Sequence, residues 1–312
     1  MAMTELGKPF DGIIYYWIED TYGVVTDITT CSLPISCKVQ DVRIDSGDRH
    51  KTLRSIESPL VCNFLPQTNE PKLHLEYIPQ TDDTMIDTVI DRVGSCCSLQ
   101  SLSFAIGFNK CKTGIDSSWF RVTGAKPSTV RITGSKNTEY MVVIDYEAKS
   151  IVSVGSDEVG SAPSELTGGY CAFNIAGEIR KTGGLIVNAD HIAFITNSID
   201  ITVNHNLQGQ TDHDSLLKSY LIEGAMDIEG SVDITLDGGG AQHYGEVLAN
   251  TAFEIEVDLS NTVGAPRITL PGCEWKNTSL DKSISGEAMS SSVPFDAKPT
   301  SCSLIVATVP AP

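Results

Sequence analysis

The densest group of ligand-type side chains in the sequence is His205, Asp212, His213 and Asp214. A strand or helix that holds a metal offers donors at i, i+2 or i, i+4, and no pair of histidines here has either spacing. The group therefore reads as a solvated polar loop. His50, His74, His191 and His243 have no Ser or Cys beside them in a nucleophile-elbow context, and no Gly-x-Ser-x-Gly occurs. Asp237-Gly-Gly-Gly-Ala241 has the glycines of a phosphate-cradling loop but not its Lys or the following Ser/Thr, so it reads as a turn. Asp82 and Asp83 open a stretch of helical periodicity, where carboxylates oppose the helix dipole without any catalytic role. Asn277-Thr-Ser279 fits a glycosylation acceptor, yet the first residues lack the charged-then-apolar layout of a secretion signal. The nine cysteines contain no Cys-x-x-Cys and scatter through apolar contexts, as buried free thiols of a reducing compartment do. The residues give no enzyme, no metal and no cofactor.

Charge narrows the function further. The chain of 312 residues carries a formal net charge of −18, distributed as 15 Lys/Arg against 19 Asp/Glu over residues 1–155 and 7 against 21 over 156–312. Such a surface repels polyanions, which argues against nucleic-acid binding. With 41% hydrophobic and 20% charged residues the sequence is that of a globular chain. No run of about 18 apolar residues is present, so no membrane partner is expected.

The elements that position these groups are mostly strands. The aromatic run Phe10–Gly23 is β-prone, with Trp17 as a core or interface anchor. Val42 and Ile44 alternate with Asp41, Arg43 and Asp45, and Leu73, Leu75 and Tyr77 alternate with Lys72, His74 and Glu76. Met85, Ile86, Val89, Ile90 and Val93 fall at helical spacing over residues 82–93. Leu102, Phe104, Ile106 and Phe108 return to period 2, followed by strand patterns at 119–123, 128–133 and 139–146. Residues 154–168 lack periodicity and concentrate Gly, Ser, Pro and acid, as a linker does.

Beyond that stretch the order of elements restarts. Ile199, Ile201 and Val203 alternate with Asp200 and Thr202, a polar loop Asn206–Ser215 follows, and Ile228, Val232 and Ile234 alternate with Asp227, Glu229 and Asp233. Gln242–Ala249 is a second short helix candidate, and Phe253–Ser260 is an alternating strand with Glu254, Glu256 and Asp258 on its polar side. Tyr146-Glu-Ala-Lys149 recurs as Phe295-Asp-Ala-Lys298, 149 residues later. The reading is mainly β: two tandem β-sandwich or barrel units, each with one short α-helix, at 1–153 and 169–312 with a linker at 154–168.

The closing segment, Phe253–Ser260, then Arg267-Ile-Thr-Leu-Pro-Gly-Cys-Glu-Trp-Lys276, a polar hairpin and Val293-Pro-Phe-Asp-Ala-Lys298, resembles the end of a tailed-virus tail tube protein in the order and spacing of its elements. The resemblance covers residues 193–308 and reaches the first half through the internal repeat. It implies a virion structural protein of a long-tailed virus, assembled in the host cytoplasm, whose rings stack into a tube. Single-unit members close rings of six, so a two-unit chain closes as a trimer. Partners implied are the chain itself in trimeric or hexameric rings, with tape measure, tail terminator and baseplate proteins, and DNA in transit without specific binding. The family joins sheets around the ring with their polar face on the lumen, which makes Asp200, Asp227, Glu229, Asp233, Glu254, Glu256 and Asp258 the lumen candidates. Without the resemblance they form a solvent-facing acidic sheet face. In the first half Ser103, Ala105, Gly107 and Asn109 would be the nearly uncharged equivalents. The family's ring-stacking loop maps to 46–58 and 206–215, giving Asp48, Arg49, His50, Lys51, Arg54, Gln208, Gln210, Asp212, His213 and Asp214. The rival reading is a carbohydrate-binding or adhesin-like β-sandwich of a baseplate or fibre, which exposed clustered aromatics would favour.

Overall fold

The computed structural model describes residues 12–24, 33–35, 38–47, 50–54, 61–66, 70–94, 97–108, 118–155, 159, 163–173, 179–183, 192–193, 196–211, 218–236, 251–276 and 289–307. In chain order the first half runs β1 (Gly12–Ile18), β2 (Leu33–Pro34), β3 (Val39–Asp45), β4 (His50–Arg54), β5 (Val61–Pro66), β6 (Lys72–Tyr77), α1 (Met85–Ile90), β7 (Leu102–Phe108), β8 (Ser118–Ser135), β9 (Met141–Glu147) and β10 (Ser150–Val154). The second runs β11 (Ile179–Gly183), β12 (Ile192–Ala193), β13 (Thr196–Asn204), β14 (Gln208–Thr211), β15 (Lys218–Ile222), β16 (Asp227–Leu236), β17 (Phe253–Asp258), β18 (Pro266–Trp275), β19 (Met289–Ala297) and β20 (Ile305–Ala307). The fold is mainly β, and all strand pairings among the described residues are antiparallel.

The pairings of the first half recur in the second. β1 pairs with β2 and β7, β7 with β8, β8 with β10 and β9, β9 with β6, and β6 with β3. In the same order β11 pairs with β12 and β17, β17 with β18, β18 with β20 and β19, β19 with β16, and β16 with β13. The hairpin β4–β5 is matched by β14–β15. One pairing has no counterpart among the described residues: β13 with β8, in register from Ser198↔Ser135 to Asn204↔Thr129, which joins the halves into one large sheet.

β8 and β18 each serve two arms of that sheet. β8 pairs with β7 and β10 up to Ala125, then with β9 from Lys126 and with β13 from Thr129. β18 pairs with β17 up to Cys273 and passes to β19 at that residue. Each hand-over sits beside a glycine of positive φ, Gly124 at 63° and Gly272 at 61°, a backbone state that L side chains disfavour. A Cβ at Gly124 would also stand 2.7 Å from the Cβ of Lys149, and one at Gly272 would stand 3.1 Å from the carbonyl oxygen of Lys298. These two lysines end the repeated tetrapeptide. The sequence pattern divides β8, the long strand shared by both halves, into two short strands at 119–123 and 128–133, because residues 124–127 have the composition of a turn.

Alternation then builds the core. Leu73, Leu75 and Tyr77 of β6, Val142, Ile144 and Tyr146 of β9, and Ile199, Ile201 and Val203 of β13 are buried and face Phe104, Ile106, Val122, Phe253, Ile255 and Val257. The Phe104 ring lies 5.0 Å from that of Tyr146 although β7 and β9 are not paired, so the two arms close on one another. A single buried cluster draws on strands of both halves. A smaller one, Tyr15, Trp17, Ala105 and Val159, covers the other side of β1 and β7, and Tyr15 Oη donates to the Val159 carbonyl at 2.8 Å. The described part of the expected linker is thus tied to the first half. Gln80 Nε2 donates to Gly168 O at 2.8 Å, and the amides of Thr167 and Gly168 donate to Asp82.

The helix expected over 82–93 is confined to Met85–Ile90. Asp83 Oδ1 accepts the Met85 amide at 2.8 Å, and Asp91 leaves the helix in an extended conformation, where its carboxylate accepts the amides of Leu304 and Ile305. The second expected helix, 242–249, lies outside the described residues. No helix among the described residues is long and apolar enough to cross a membrane. The cysteine reading needs one correction: Cys171 and Cys273 are buried free thiols, but Cys97 and Cys302 are joined by a disulfide. The Arg92 amide donates to the Cys302 carbonyl at 2.8 Å, so docking of the last loop against the end of α1 brings the two together.

Asp83 is 2% exposed, and burial raises its carboxyl to about 7. A raised folded-state value means that its stabilising contribution is whole below the unfolded value, about 3.9, and is lost as pH rises through about 7. Asp83→Asn keeps an acceptor for the Met85 amide and removes the titration. Urea unfolding of both chains should show equal stability near pH 4 and a variant advantage that grows toward neutrality, with a ceiling on the order of 4 kcal/mol. A constant difference across that range would contradict the assignment.

Candidate functional site

The candidate functional surface is the polar face of the long sheet, whose other face is core. Registered pairs align Asp41, Glu76, Val143, Arg131, Thr202, Glu229, Asp296 and Glu274 in one row across β3, β6, β9, β8, β13, β16, β19 and β18. A second row aligns Arg43, His74, Asp145, Thr129, Asn204 and Asp227. Acids on this face outnumber bases, and they extend over both halves. Like charges on adjacent strands are unfavourable, and interleaved cations relieve part of this. Arg131 forms a two-pronged pair with Asp200, Lys276 lies 2.5 Å from Asp296 and 3.4 Å from Glu229, and Lys298 lies 2.6 Å from Glu274.

Four of the seven acidic candidates share this face: Asp200, Asp227, Glu229 and Asp233. Asp227 and Glu229 are exposed, while Asp200 and Asp233 are half-buried. Glu254, Glu256 and Asp258 do not join them. They lie on β17, between β11 and β18 in the opposite arm, and since Phe253, Ile255 and Val257 point into the core their alternates point outward on the other surface. Asp258 is moreover 3% exposed and clamped by Arg267, whose guanidinium also lies 3.7 Å from Glu256. The supposed first-half equivalents belong to the same arm: Ser103 is fully buried and donates to Glu19, and Ala105 is buried.

His205 is another correction. It is fully buried rather than part of a solvated loop, with Nε2 3.0 Å from the Val89 carbonyl oxygen, and burial lowers its pKa to about 4. The signal was present, since His205 continues the inward positions Ile199, Ile201 and Val203 of β13. Its neighbours in the expected cluster, Asp212, His213 and Asp214, lie outside the described residues. So do Asp48, Arg49, Asn109, the Gly-rich turn at 237–241 and the sequon at 277–279. His50, Lys51 and Arg54 fall on β4, paired with β5. Gln208 and Gln210 are exposed on β14, opposite Ile222 and Tyr220, which are 43% and 50% exposed. That side of the ribbon exposes two large apolar side chains beside two glutamines.

The seam between the halves is dense. Beyond the β8–β13 ladder, Glu223 accepts the Leu99 amide at 2.8 Å and pairs with Lys126 at 2.5 Å, and Lys218 pairs with Glu147 at 2.7 Å. Arg92 donates to the Gly224 carbonyl at 3.0 Å. By contrast, β3, which occupies in the first half the place of β13 in the second, pairs among the described residues only with β6. Its other edge is open there.

One group escaped the sequence reading. Asp41, His74 and Glu76 converge on the polar face at the open-edge end. The signal was His74-x-Glu76 on an alternating strand, and a search confined to histidine pairs passes over it.

No protein-family model matches this chain, and no curated protein matches it.

Lys126 and Glu223 are each about one-seventh exposed, at 13% and 14%. Glu223→Ala leaves Lys126 without its carboxylate and the Leu99 amide without its acceptor, which should cost about 3 kcal/mol of unfolding free energy. Denaturant melts of the variant and the double variant with Lys126→Met test this. The second change should restore part of the loss, and an unaltered midpoint for Glu223→Ala would contradict the pairing.

Proposed function

We propose that the chain is a tail tube protein of a long-tailed virus, built of two tail-tube-type units in tandem. The observation that carries this reading is the matched strand pairing of the two halves together with the one pairing that has no match. β8 covers the edge of β13 within the chain; the equivalent edge, β3, has no such cover among the described residues. An exposed edge templates further pairing, and the occupant that fits is the β18–β19 end of another copy, standing to β3 as β8 and β9 stand to β13. Repeating that step makes a heterologous contact, which generates a closed ring if the rotation closes. Three copies then present six units.

In this arrangement the polar face of the long sheet lines the bore. Duplex DNA carries one negative charge per about 1.7 Å of axis, and an acidic wall repels it within a Debye length of about 8 Å at physiological salt. The interleaved Arg131 and Lys276 are held by carboxylates and offer DNA little free positive charge. The hairpins β4–β5 and β14–β15 are two-stranded ribbons separate from the large sheet, and in this reading they carry the ring-to-ring contacts. Tape measure, terminator and baseplate proteins are the partners this role entails. For the rival sugar-binding role, the exposed aromatics Tyr170 and Tyr220 lie on separate elements and form no stacking platform among the described residues.

Negative-stain microscopy and sedimentation of the concentrated chain should reveal tubes with a three-copy repeat. Tyr220→Ser with Ile222→Ser, both on an exposed strand face, should leave rings that do not stack. A monomer at every concentration would overturn the proposal, and tubes of unaltered length from the double variant would remove the hairpin from stacking. In assembled tails, Asp227→Lys with Asp233→Lys should slow DNA release by supplying phosphate contacts, while Glu254→Lys on the outer surface should not. Equal release rates for all three would contradict the lumen assignment.

A further inference from the structure

We propose that Asp41, His74 and Glu76 bind a divalent transition-metal ion of the Zn2+ class. Each side chain offers one donor atom, and the three atoms lie within 4.8 Å of one another. The strands bring them together. Asp41 of β3 is directly opposite Glu76 of β6, and His74 lies two residues from Glu76 on the same face. An i, i+2 pair on one strand with a third donor on its neighbour converges on a point above the sheet. A mixed imidazole–carboxylate set suits Zn2+ and its first-row neighbours, whereas Ca2+ and Mg2+ take shells of oxygen. Three protein donors leave a fourth position for water.

The imidazole is also oriented from behind. His74 Nδ1 lies 2.7 Å from Asp145 Oδ1 on β9, the next strand of the sheet, with His74 and Asp145 in direct register. Histidines that bind metals hand their other ring N–H to a carboxylate in this way, which fixes the tautomer and leaves the remaining nitrogen as donor. Asp145 is then a positioning residue rather than a ligand. The competing cation is Arg43, paired with Asp41, but its side chain is 74% exposed, and an exposed pair of this kind contributes little. It yields to an ion that gains three ligands at once. All the donors come from one chain, so the site stands whether or not the tube reading does.

The test is calorimetric titration of the chelator-treated full chain with Zn2+ and, separately, Ca2+. The unaltered chain should bind Zn2+ saturably in preference to Ca2+. His74→Ala and Glu76→Gln should each weaken that binding more than about 10-fold, and Asp145→Asn about 10- to 100-fold through loss of the orienting carboxylate. Asp227→Asn, on the same polar face but outside the site, should leave it unaltered. Circular dichroism checks that each variant keeps its β content. Zn2+ binding that survives His74→Ala would mark counter-ions on an acidic surface only and overturn the site, as would the absence of saturable binding. Should His74→Ala fail to fold, Co2+ titration of the unaltered chain decides. Intense visible absorption displaced by Zn2+ supports the site, and the spectrum of the aqueous ion overturns it.

Discussion

Backbone N–H and C=O groups along a strand edge must find partners, in water or in another strand. Everything distinctive about this molecule follows from how that requirement is met. β13 is a central strand because the second half of β8 lies along it from Thr129 to Ser135, and that ladder makes one sheet of two similar sets of strands. The core could not be shared between the halves without it. The polar face could not be continuous either, since the row from Asp41 to Glu274 crosses between halves at Arg131 and Thr202. β3 has the same sequence character as β13 and the same first partner by position, and among the described residues it lacks only the neighbour. The proposed function rests on that asymmetry.

The seam within the chain also shows what kind of surface a second copy would have to match. It combines a ladder, the Arg131–Asp200 pair on the polar face and the half-buried Lys126–Glu223 and Lys218–Glu147 pairs. Charged pairs sequestered from water are costly to leave incomplete, so such a seam discriminates strongly in favour of its own register. Buried charge elsewhere has a different character. Asp83 sits beneath α1 among tyrosines, and its burial raises its pKa to about 7. His205 supports the other end of the same helix through Val89, and burial lowers its pKa to about 4. The helix that bridges the halves is thus anchored on two groups that are most stable uncharged.

Much of the fold is legible in the sequence because half-buried strands carry a period of two. β6, β7, β9, β13, β16 and β17 all show it, and among the described side chains the inward residues named from alternation on these strands are buried. Alternation says which side of a strand a residue occupies, but not which arm the strand joins. For this reason alternation alone groups Glu254, Glu256 and Asp258 with Asp200 and Asp227, although β17 lies in the opposite arm. The hand-overs were hidden for a related reason. Gly124 to Pro127 and Pro271 to Gly272 have the composition of turns, yet the chain continues extended and changes partners there. The residue type of His205 hides its place, since a polar side chain at an inward position interrupts the apolar pattern without leaving the strand register. The Asp41–His74–Glu76 group depends on cross-strand register, which one strand's sequence does not contain.

The open edge of β3 is the centre of the account, and hydrogen–deuterium exchange reads it directly. In dilute chain, amides of Val39–Asp45 that are not bonded to β6 should exchange quickly, while the equivalent amides of β13, covered by β8, exchange slowly. At concentrations where the chain assembles, the β3 amides should become as protected as those of β13, with the β6–β9 ladder little altered. Assembly that leaves the β3 edge exchanging at its dilute rate would contradict the account, whatever the form of the particles.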